Sequence, residues 1–219
     1  MSKLEEIIIR AYKRSDREFV RKIACDTAFM GEPAENFFKG RKFLSDFLTR
    51  YHTDFEPESI FVAERDGKIA GYLSGAKSEK KMISKFIITV LPGAFFKILF
   101  KGYAFKKKNF LFTLFNIRSF LKGEFYAPSF IKKEYPAILH INIDKNYRGL
   151  GIGGRLIGAY LNYLKKEKIK GVHIKTPSEK SFKFFEKLGF KMLYETRISY
   201  FRHVLKRRVR YIYFGKKLG

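Results

Sequence analysis

The chain has 219 residues, of which 46% are hydrophobic. This length suits one domain covering residues 1–219, and the hydrophobic share is enough for a packed core, which excludes a disordered chain. The 46 Lys and Arg residues outnumber the 21 Asp and Glu residues and give a formal net charge of +25. Such a charge favours anionic partners and repels polycations. No pattern typical of a nucleic-acid-binding module is present, so nucleic acid is a disfavoured partner.

Cysteine and histidine usage restricts the compartment and the cofactors. Cys25 is the only cysteine, so an internal disulfide is excluded, and its helical surroundings predict an inert, partly buried thiol. The first ten residues contain no signal-peptide core, and we therefore expect a cytoplasmic protein. The four histidines lack the spacing of metal ligands, so no metal cofactor is expected; they are His52, His140, His173 and His203.

The first 76 residues predict two strands that form a hairpin, preceded by a strand and two helices. Ser15 and Glu18 match a capping box at the start of the first helix. Asp66 and Gly67 form a two-residue turn, so the strands on either side of them must be antiparallel. The predicted elements are a strand at 5–12, helices at 15–28 and 41–51, and the hairpin at 59–76.

Residues 77–136 form a basic, phenylalanine-rich insertion. This segment contains 13 Lys or Arg residues and three Glu residues. Its most apolar run, residues 86–100, is shorter than the roughly 20 apolar residues needed to cross a bilayer. Pro92, Gly93 and Lys97 also interrupt that run. We predict two or three helices, with breaks near Pro92 and Gly93 and at 106–109.

A regular alternation of strands and helices returns after the insertion. Together with the first part of the chain, it predicts a mixed α/β sheet with helices packed on it. Ser178 is placed to cap the second helix, and Gly189 to end it. The predicted strands are 137–143, 171–175, 190–198 and 209–217, and the predicted helices are 151–168 and 178–188.

The turn between the strand at 137–143 and the following helix is rich in glycine. Glycines let a backbone approach a ligand closely, and the first amides of a helix bind phosphate. Gly149, Gly151 and Gly154 formally match the dinucleotide-binding fingerprint. However, residues 144–148 separate the strand from the first glycine, and the next strand ends in HIK without an acidic ribose ligand. The context therefore argues against a dinucleotide site.

The same turn, INIDKNYRGLGIGGRL, contains Arg148-x-x-Gly151-x-Gly153 and resembles the acetyl-CoA loop of the GNAT superfamily of N-acetyltransferases. Residues 184–190 (FFEKLGF) and the opening IIIRAYKRSDRE also resemble that family, so the resemblance covers about 1–76 and 137–217. It implies a mixed, mostly antiparallel sheet with flanking helices. The helical insertion at 77–136 then lies between strands 3 and 4, where the family usually has a short hairpin. The segments YPAILHINI, GVHIK and CDTAFMGEPAENFF are similar, more distantly, to bacterial acetyltransferases related to the O-GlcNAcase C-terminal domain.

The resemblance implies direct acetyl transfer from acetyl-CoA, the co-substrate, to a primary amine of a small-molecule or peptide acceptor. The strand before the loop would contact the pantetheine arm, and the loop amides would hold the pyrophosphate. The cofactor-binding residues implied in this way are Ile141, Asn142, Ile143, Arg148, Gly149, Leu150, Gly151, Ile152, Gly153, Gly154, Ser178 and Phe185.

Two positions depart from the family pattern. Phe185 stands where the family often has the Tyr that protonates the departing thiolate, and Ser178 stands where an Asn is common. Tyr147, Tyr194 and Tyr200 are alternative proton donors. A catalytically weak or inactive CoA-binding module is therefore the second hypothesis for function.

His140 is the candidate catalytic base, with Asn142 as its orienting neighbour. Strand alternation places both on one face, with Leu139, Ile141 and Ile143 on the other. A histidine can accept a proton near neutral pH, although packing alone also accounts for a histidine at this position.

Three roles remain open for the insertion: a lid over the acceptor site, a surface for a partner or a homodimer, and a peripheral contact with an anionic membrane. Its positive charge disfavours polyamine and aminoglycoside acceptors.

Overall fold

The computed structural model describes residues 7–219, with every side chain in that range except that of Lys180. Seven strands form one sheet in the order β1-β2-β3-β4-β5-β7-β6. Neighbouring strands are antiparallel except for β4 and β5. The mixed, mostly antiparallel sheet confirms the predicted fold class. The strands are β1 Ile8–Ala11, β2 Ile60–Arg65, β3 Lys68–Ala76, β4 Ala137–Ile143, β5 Gly171–Thr176, β6 Lys191–Ile198 and β7 Val209–Lys217.

Helices cover both faces of this sheet. One face packs against α7 through Leu73 and Leu139, and the opposite face packs against α1 through Val62 and Tyr72. Alternation along each strand produces these two apolar faces. The helices are α1 Arg17–Asp26, α2 Arg41–Phe55, α3 Glu79–Thr89, α4 Leu91–Phe100, α5 Lys107–Leu121, α6 Ser129–Glu134, α7 Ile152–Lys166, α8 Phe182–Lys187 and α9 Arg202–Leu205.

The start of α1 differs from the prediction. The capping box predicted from Ser15 and Glu18 is wrong, because a 3-10 turn, Arg14–Asp16, precedes α1 and is closed by the side chain of Asp16. Its Oδ2 accepts a hydrogen bond from the Lys13 amide at 2.8 Å, and Arg10 Nη1 also donates to that oxygen at 2.7 Å. The first predicted strand began at residue 5, and residues 5 and 6 lie outside the described part of the chain.

The helix predicted to be capped by Ser178 is also different. Residues 179–181 form a 3-10 turn, and the Ser178 side chain makes no capping hydrogen bond. The α-helix that follows, α8, has only six residues. Gly189 ends it as predicted, with a φ of 78° that a side chain would strain.

The insertion contains four helices, α3 to α6, rather than two or three. The first break lies at Val90, and Pro92 belongs to the first turn of α4, where proline costs no helical hydrogen bond. No single helix among the described residues is long and apolar enough to span a membrane. Helices α3 and α4 pass that test only as a pair, and they are bent by 40°.

Buried carboxylates attach the insertion to the sheet. Glu79, at the start of α3, forms an ion pair with Lys175 of β5, and its Oε2 lies 3.6 Å from Nε2 of His173 on the same strand. Glu124, after α5, accepts hydrogen bonds from the Ser199 amide at 2.7 Å and from its hydroxyl at 2.8 Å. The helices are therefore held in place at both ends of the α3–α5 segment.

Candidate active site

Strands β4 and β5 diverge and leave a V-shaped opening in the sheet. They pair only at Ala137 with Val172 and at Ile138 with His173. On its other edge, β4 stays paired with β3 as far as Ile143. The edge of β4 that faces β5 is therefore free of a strand partner beyond Ile138, and its backbone groups are available to a ligand.

A cleft of about 760 Å³ occupies this opening. Its walls come from β4, from the glycine-rich loop and from the residues that follow β5. The segment after α1, the segment between β6 and α9, and one residue of β7 close its remaining sides. These last contributions are Thr27, Ala28, Met30 and Gly31, and Tyr200, Phe201 and Tyr211.

The glycine-rich loop has the backbone of an anion-binding site. Gly149 and Gly151 adopt φ angles of 84° and 74°, which a non-glycine residue takes only with strain. Gly151 directly precedes α7, so the amides of Ile152 and Gly153 have no acceptor within the helix. These amides and the positive end of the helix dipole favour a phosphate at the cleft.

Arg148 adds a fixed positive charge to this loop. Its Nη2 donates to the carbonyl of Gly31 at 2.7 Å, and its Nε donates to the carbonyl of Ile143 at 3.3 Å. The guanidinium thereby joins the loop to the segment after α1. No carboxylate among the described residues forms an ion pair with it, so its charge remains available to an anionic ligand.

Comparison with known proteins agrees with this geometry. A family model described as "Acetyltransferase (GNAT) family" matches residues 18–190. The chain belongs to the GNAT family of acetyltransferases. Membership supports an acyltransferase that uses acetyl-CoA.

Solved structures share the GNAT fold over almost the whole chain. The structure called SsHAT has a TM-score of 0.72 and 21% identity and covers 98% of this chain and 99% of its own. A Drosophila melanogaster polyamine N-acetyltransferase has a TM-score of 0.59 and 14% identity, covering 97% of this chain and 100% of its own. The putative acetyltransferase yncA from Salmonella typhimurium, solved with acetyl-CoA, has a TM-score of 0.58 and 11% identity, with 97% and 94% covered. At these identities the likeness concerns the fold alone.

Most of the residues predicted to bind the GNAT co-substrate border the cleft. The exceptions are Leu150, which is 45% exposed, and Gly154, which belongs to the first turn of α7 and lies beside Leu188. The predicted co-substrate residues that border the cleft are Ile141, Asn142, Ile143, Arg148, Gly149, Gly151, Ile152, Gly153, Ser178 and Phe185, and the predicted base His140 borders it as well. The fit to acetyl-CoA thus rests on the open edge of β4 and on the glycine loop.

His140 and Asn142 share one face of β4, as alternation predicts. The Asn142 side-chain amide donates to the Tyr72 hydroxyl at 2.8 Å, so Asn142 contacts Tyr72 rather than His140. The His140 side chain is exposed where it borders the cleft. Desolvation by the surrounding residues, and secondarily the nearby His52, lower the pKa of His140 to about 4. The ring is therefore neutral at neutral pH and free to accept a proton.

Phe185 brings no hydroxyl group to the cleft. It is 2% exposed and packs against Phe190 and Phe214 in the core. Of the tyrosines proposed as alternatives, Tyr147 and Tyr200 border the cleft. Tyr194 does not border it and packs against Tyr213 instead.

Tyr211 is a further cleft residue that was not predicted from the sequence. It lies on β7 and is half-buried. Burial raises the pKa values of Tyr200 and Tyr211, so both hydroxyls stay protonated throughout the neutral range. Alternation in β7 places Tyr211 and Tyr213 on one face, but only the sheet order shows that Tyr211 reaches the cleft.

Among residues 7–219, no group of three or more His, Cys, Asp or Glu side chains has the geometry to hold a metal ion.

Proposed function

We propose that this protein transfers the acetyl group of acetyl-CoA directly to a primary amine of a small-molecule or peptide acceptor. The observation that supports it most is the V-shaped opening between β4 and β5 above the loop with Gly149 and Gly151. This opening offers an unpaired strand edge and an anion-binding helix start in one cleft. Both are suited to a long co-substrate that ends in phosphates.

Backbone groups would hold most of acetyl-CoA. The free edge of β4 at Ile141, Asn142 and Ile143 would pair with the amides of the pantetheine arm. The amides from Arg148 to Gly153 and the Arg148 guanidinium would bind the pyrophosphate. When bound, acetyl-CoA supplies the activated thioester, and the fixed position of its carbonyl beside the acceptor lowers the barrier.

His140 is the base in this proposal. Its ring faces the cleft and is neutral at neutral pH. It accepts the proton that the amine loses as the amide forms, directly or through a water molecule. A positioned base of this kind contributes about 10²–10⁴-fold to a rate.

Position 185 is a phenylalanine and cannot donate a proton to the departing thiolate. In this proposal a tyrosine elsewhere in the cleft is the proton donor. Tyr200 and Tyr211 both border the cleft with protonated hydroxyls. Replacing each by Phe removes only the hydroxyl. The variant that loses turnover while retaining acetyl-CoA binding identifies the donor.

The acceptor is expected to be neutral or anionic apart from its reacting amine. The net charge of +25 opposes the approach of polyamines and aminoglycosides. The likeness to the Drosophila polyamine enzyme does not alter this proposal, because at 14% identity it concerns the fold alone.

We also propose that the protein resides in a reducing, cytoplasmic compartment. Cys25 is fully buried, and burial raises the pKa of its thiol to about 11. Such a thiol is inert as a nucleophile, so Cys25 plays no part in the proposed transfer.

Thermal unfolding with acetyl-CoA tests the proposed co-substrate. At 100 times its Kd, acetyl-CoA should stabilise the protein by about 2.7 kcal/mol. Thiol release is then measured with a panel that contains neutral, anionic and polycationic amines. Binding and turnover support the acetyltransferase, with polycationic amines as the poorest acceptors. Binding without any turnover supports the CoA-binding module that Phe185 suggests, and the absence of binding contradicts both.

A further inference from the structure

The helical insertion exposes an unusual amount of apolar surface. Of the 23 large hydrophobic residues that are exposed in the described chain, 17 lie within residues 77–136. Soluble monomers rarely expose extended apolar patches, and larger patches mark sites of interaction. The insertion therefore presents an apolar surface that a partner must cover.

Helix α4 is the most exposed part of this surface. Ala94 is its only buried residue. Phe95, Phe96 and Phe100 are 58%, 57% and 82% exposed. The rings of Phe96 and Phe100 stack on one another with centroids 6.2 Å apart, yet both remain open to solvent.

Helix α5 also has an exposed apolar side. Its inward side carries Phe112, which packs in the core beside Phe201. At helical spacing, Phe110, Leu114, Ile117 and Leu121 fall on the opposite side, and all four are exposed. Residues of this kind normally face a core, so this helix is apolar on the side that no other part of the described chain covers.

The exposed charges around this apolar surface are almost all positive. Of the three glutamates in the insertion, Glu79 and Glu124 are buried, and Glu134 forms an ion pair with Lys217 at 3.2 Å. All of its 13 Lys and Arg residues except Lys77 are exposed. Lys97 pairs with Asp46 at 3.0 Å and Lys132 lies 3.8 Å from Glu79. The outer face of the insertion thus combines aromatic rings with a large excess of cations over exposed anions.

We propose that the outer face of α3, α4 and α5 docks on an anionic lipid bilayer. The Phe and Ile side chains enter the boundary between headgroups and acyl chains, and the lysines bind lipid phosphates, as in other interfacial helices. The 40° bend between α3 and α4 suits helices that lie along a surface. A second copy of the chain is a poorer occupant, because two faces of the same positive charge repel each other.

Vesicle flotation tests this docking with the full chain. The vesicles are phosphatidylcholine containing 30% phosphatidylglycerol, and pure phosphatidylcholine serves as the reference. We expect partitioning onto the anionic vesicles to be about tenfold stronger or more, and to fall severalfold when the salt concentration rises from 50 to 500 mM.

Matched variants locate the contact. The double variant Phe96→Ser/Phe100→Ser should weaken partitioning by about tenfold or more, because it removes two inserted rings. Its control is Phe19→Ser/Met192→Ser, which changes two residues that are 47% and 57% exposed outside the insertion. Lys101→Glu/Lys107→Glu should weaken binding only to anionic vesicles. Its control is Lys68→Glu/Lys191→Glu, at exposed lysines on the strands.

Stabilisation by acetyl-CoA is measured on every variant and shows that each one folds. The docking proposal does not depend on catalysis, so loss of turnover has no bearing on it. Absence of binding to anionic vesicles overturns the proposal, as does equal binding of the insertion variants and their controls. A concentration-dependent dimer that Phe96→Ser/Phe100→Ser dissociates, with no vesicle binding, would instead assign the face to a second copy.

Discussion

At the scale of single residues, His140 combines an accessible ring with a lowered pKa. Desolvation by the surrounding residues and the neighbouring His52 lower the pKa of His140 to about 4, against about 6.5 for an unperturbed histidine. A base works only in its neutral form. The acid limb of the kcat profile is therefore expected near pH 4, more than two units below that of an unperturbed histidine.

The variant His140→Asn tests this role. We expect kcat to fall by about 10²–10⁴-fold and the acid limb to disappear, while the Kd for acetyl-CoA stays within about twofold. His203→Asn is the control, because His203 lies outside the cleft. Equal, small losses in both variants would contradict a catalytic role and leave His140 as a packing residue.

The free energy of unfolding must be measured over the same pH range as kcat. His52 also has its pKa lowered to about 4, first by burial. The unfolded chain binds protons at both histidines below about pH 6.5, whereas the folded chain does so only near pH 4. Folding stability therefore falls as the pH drops from 6.5 towards 4, and short assays with a parallel unfolding curve separate this loss from catalysis.

At the scale of elements, the start of α7 must stay free of side chains. A Cβ on Gly153 would lie 2.9 Å from Cζ of Phe184, which borders the cleft. The Phe184 ring must then move. Gly153→Ala is therefore expected to raise the Kd for acetyl-CoA about tenfold, a cost of roughly 1.4 kcal/mol, measured by calorimetry.

Gly158 provides the matched control on the same helix. A Cβ at Gly158 meets nothing within 4 Å. Gly158→Ala should stabilise the protein by about 0.5–1 kcal/mol, because alanine is the better helix former, and should leave binding unchanged. Equal binding by the two variants would show that the close contact with Phe184 is irrelevant to the cleft.

At the scale of the whole molecule, local sequence patterns predicted the helices, the strands and the glycine-rich loop. They did not predict the contacts between residues that are distant along the chain. The apolar face of α7, with Leu156 and Tyr160, follows from spacing within one helix. The hydrogen bond between Arg148 and Gly31 joins residues 117 positions apart, and no local sequence pattern predicts it. Tyr211 was missed for the same reason. Its place at the cleft depends on β7 lying beside β5, which is a property of the sheet order.

The insertion shows the same limit. Composition predicted helices, but their number was wrong because the short helix α6, which has only six residues, was not predicted. What attaches these helices to the sheet is a buried carboxylate, Glu79, whose partners Lys175 and His173 are about 95 residues away along the chain. Periodicity carries no information about such a pair.

Glu79 is therefore the residue whose loss should uncouple the insertion from the sheet. It is 1% exposed. Burial alone would raise the pKa of its carboxyl, but His173 and Lys175 lower it to about 2. Glu79→Gln leaves Lys175 without its anion, and we expect a loss of about 2–4 kcal/mol in urea unfolding at pH 7. Glu134→Gln removes an exposed pair with Lys217 and should cost less than about 1 kcal/mol.

The pH dependence of that loss distinguishes charge from packing. The pKa of Glu79 is lower in the folded than in the unfolded chain, so the charge stabilises the fold above about pH 4.5, and this contribution disappears as the pH falls towards 2. The difference between wild type and Glu79→Gln should therefore shrink when the same unfolding curves are measured at pH 3. A difference that is equal at pH 7 and pH 3 would mean that the side chain acts through shape alone, and that the ion pairs do not couple the insertion to β5.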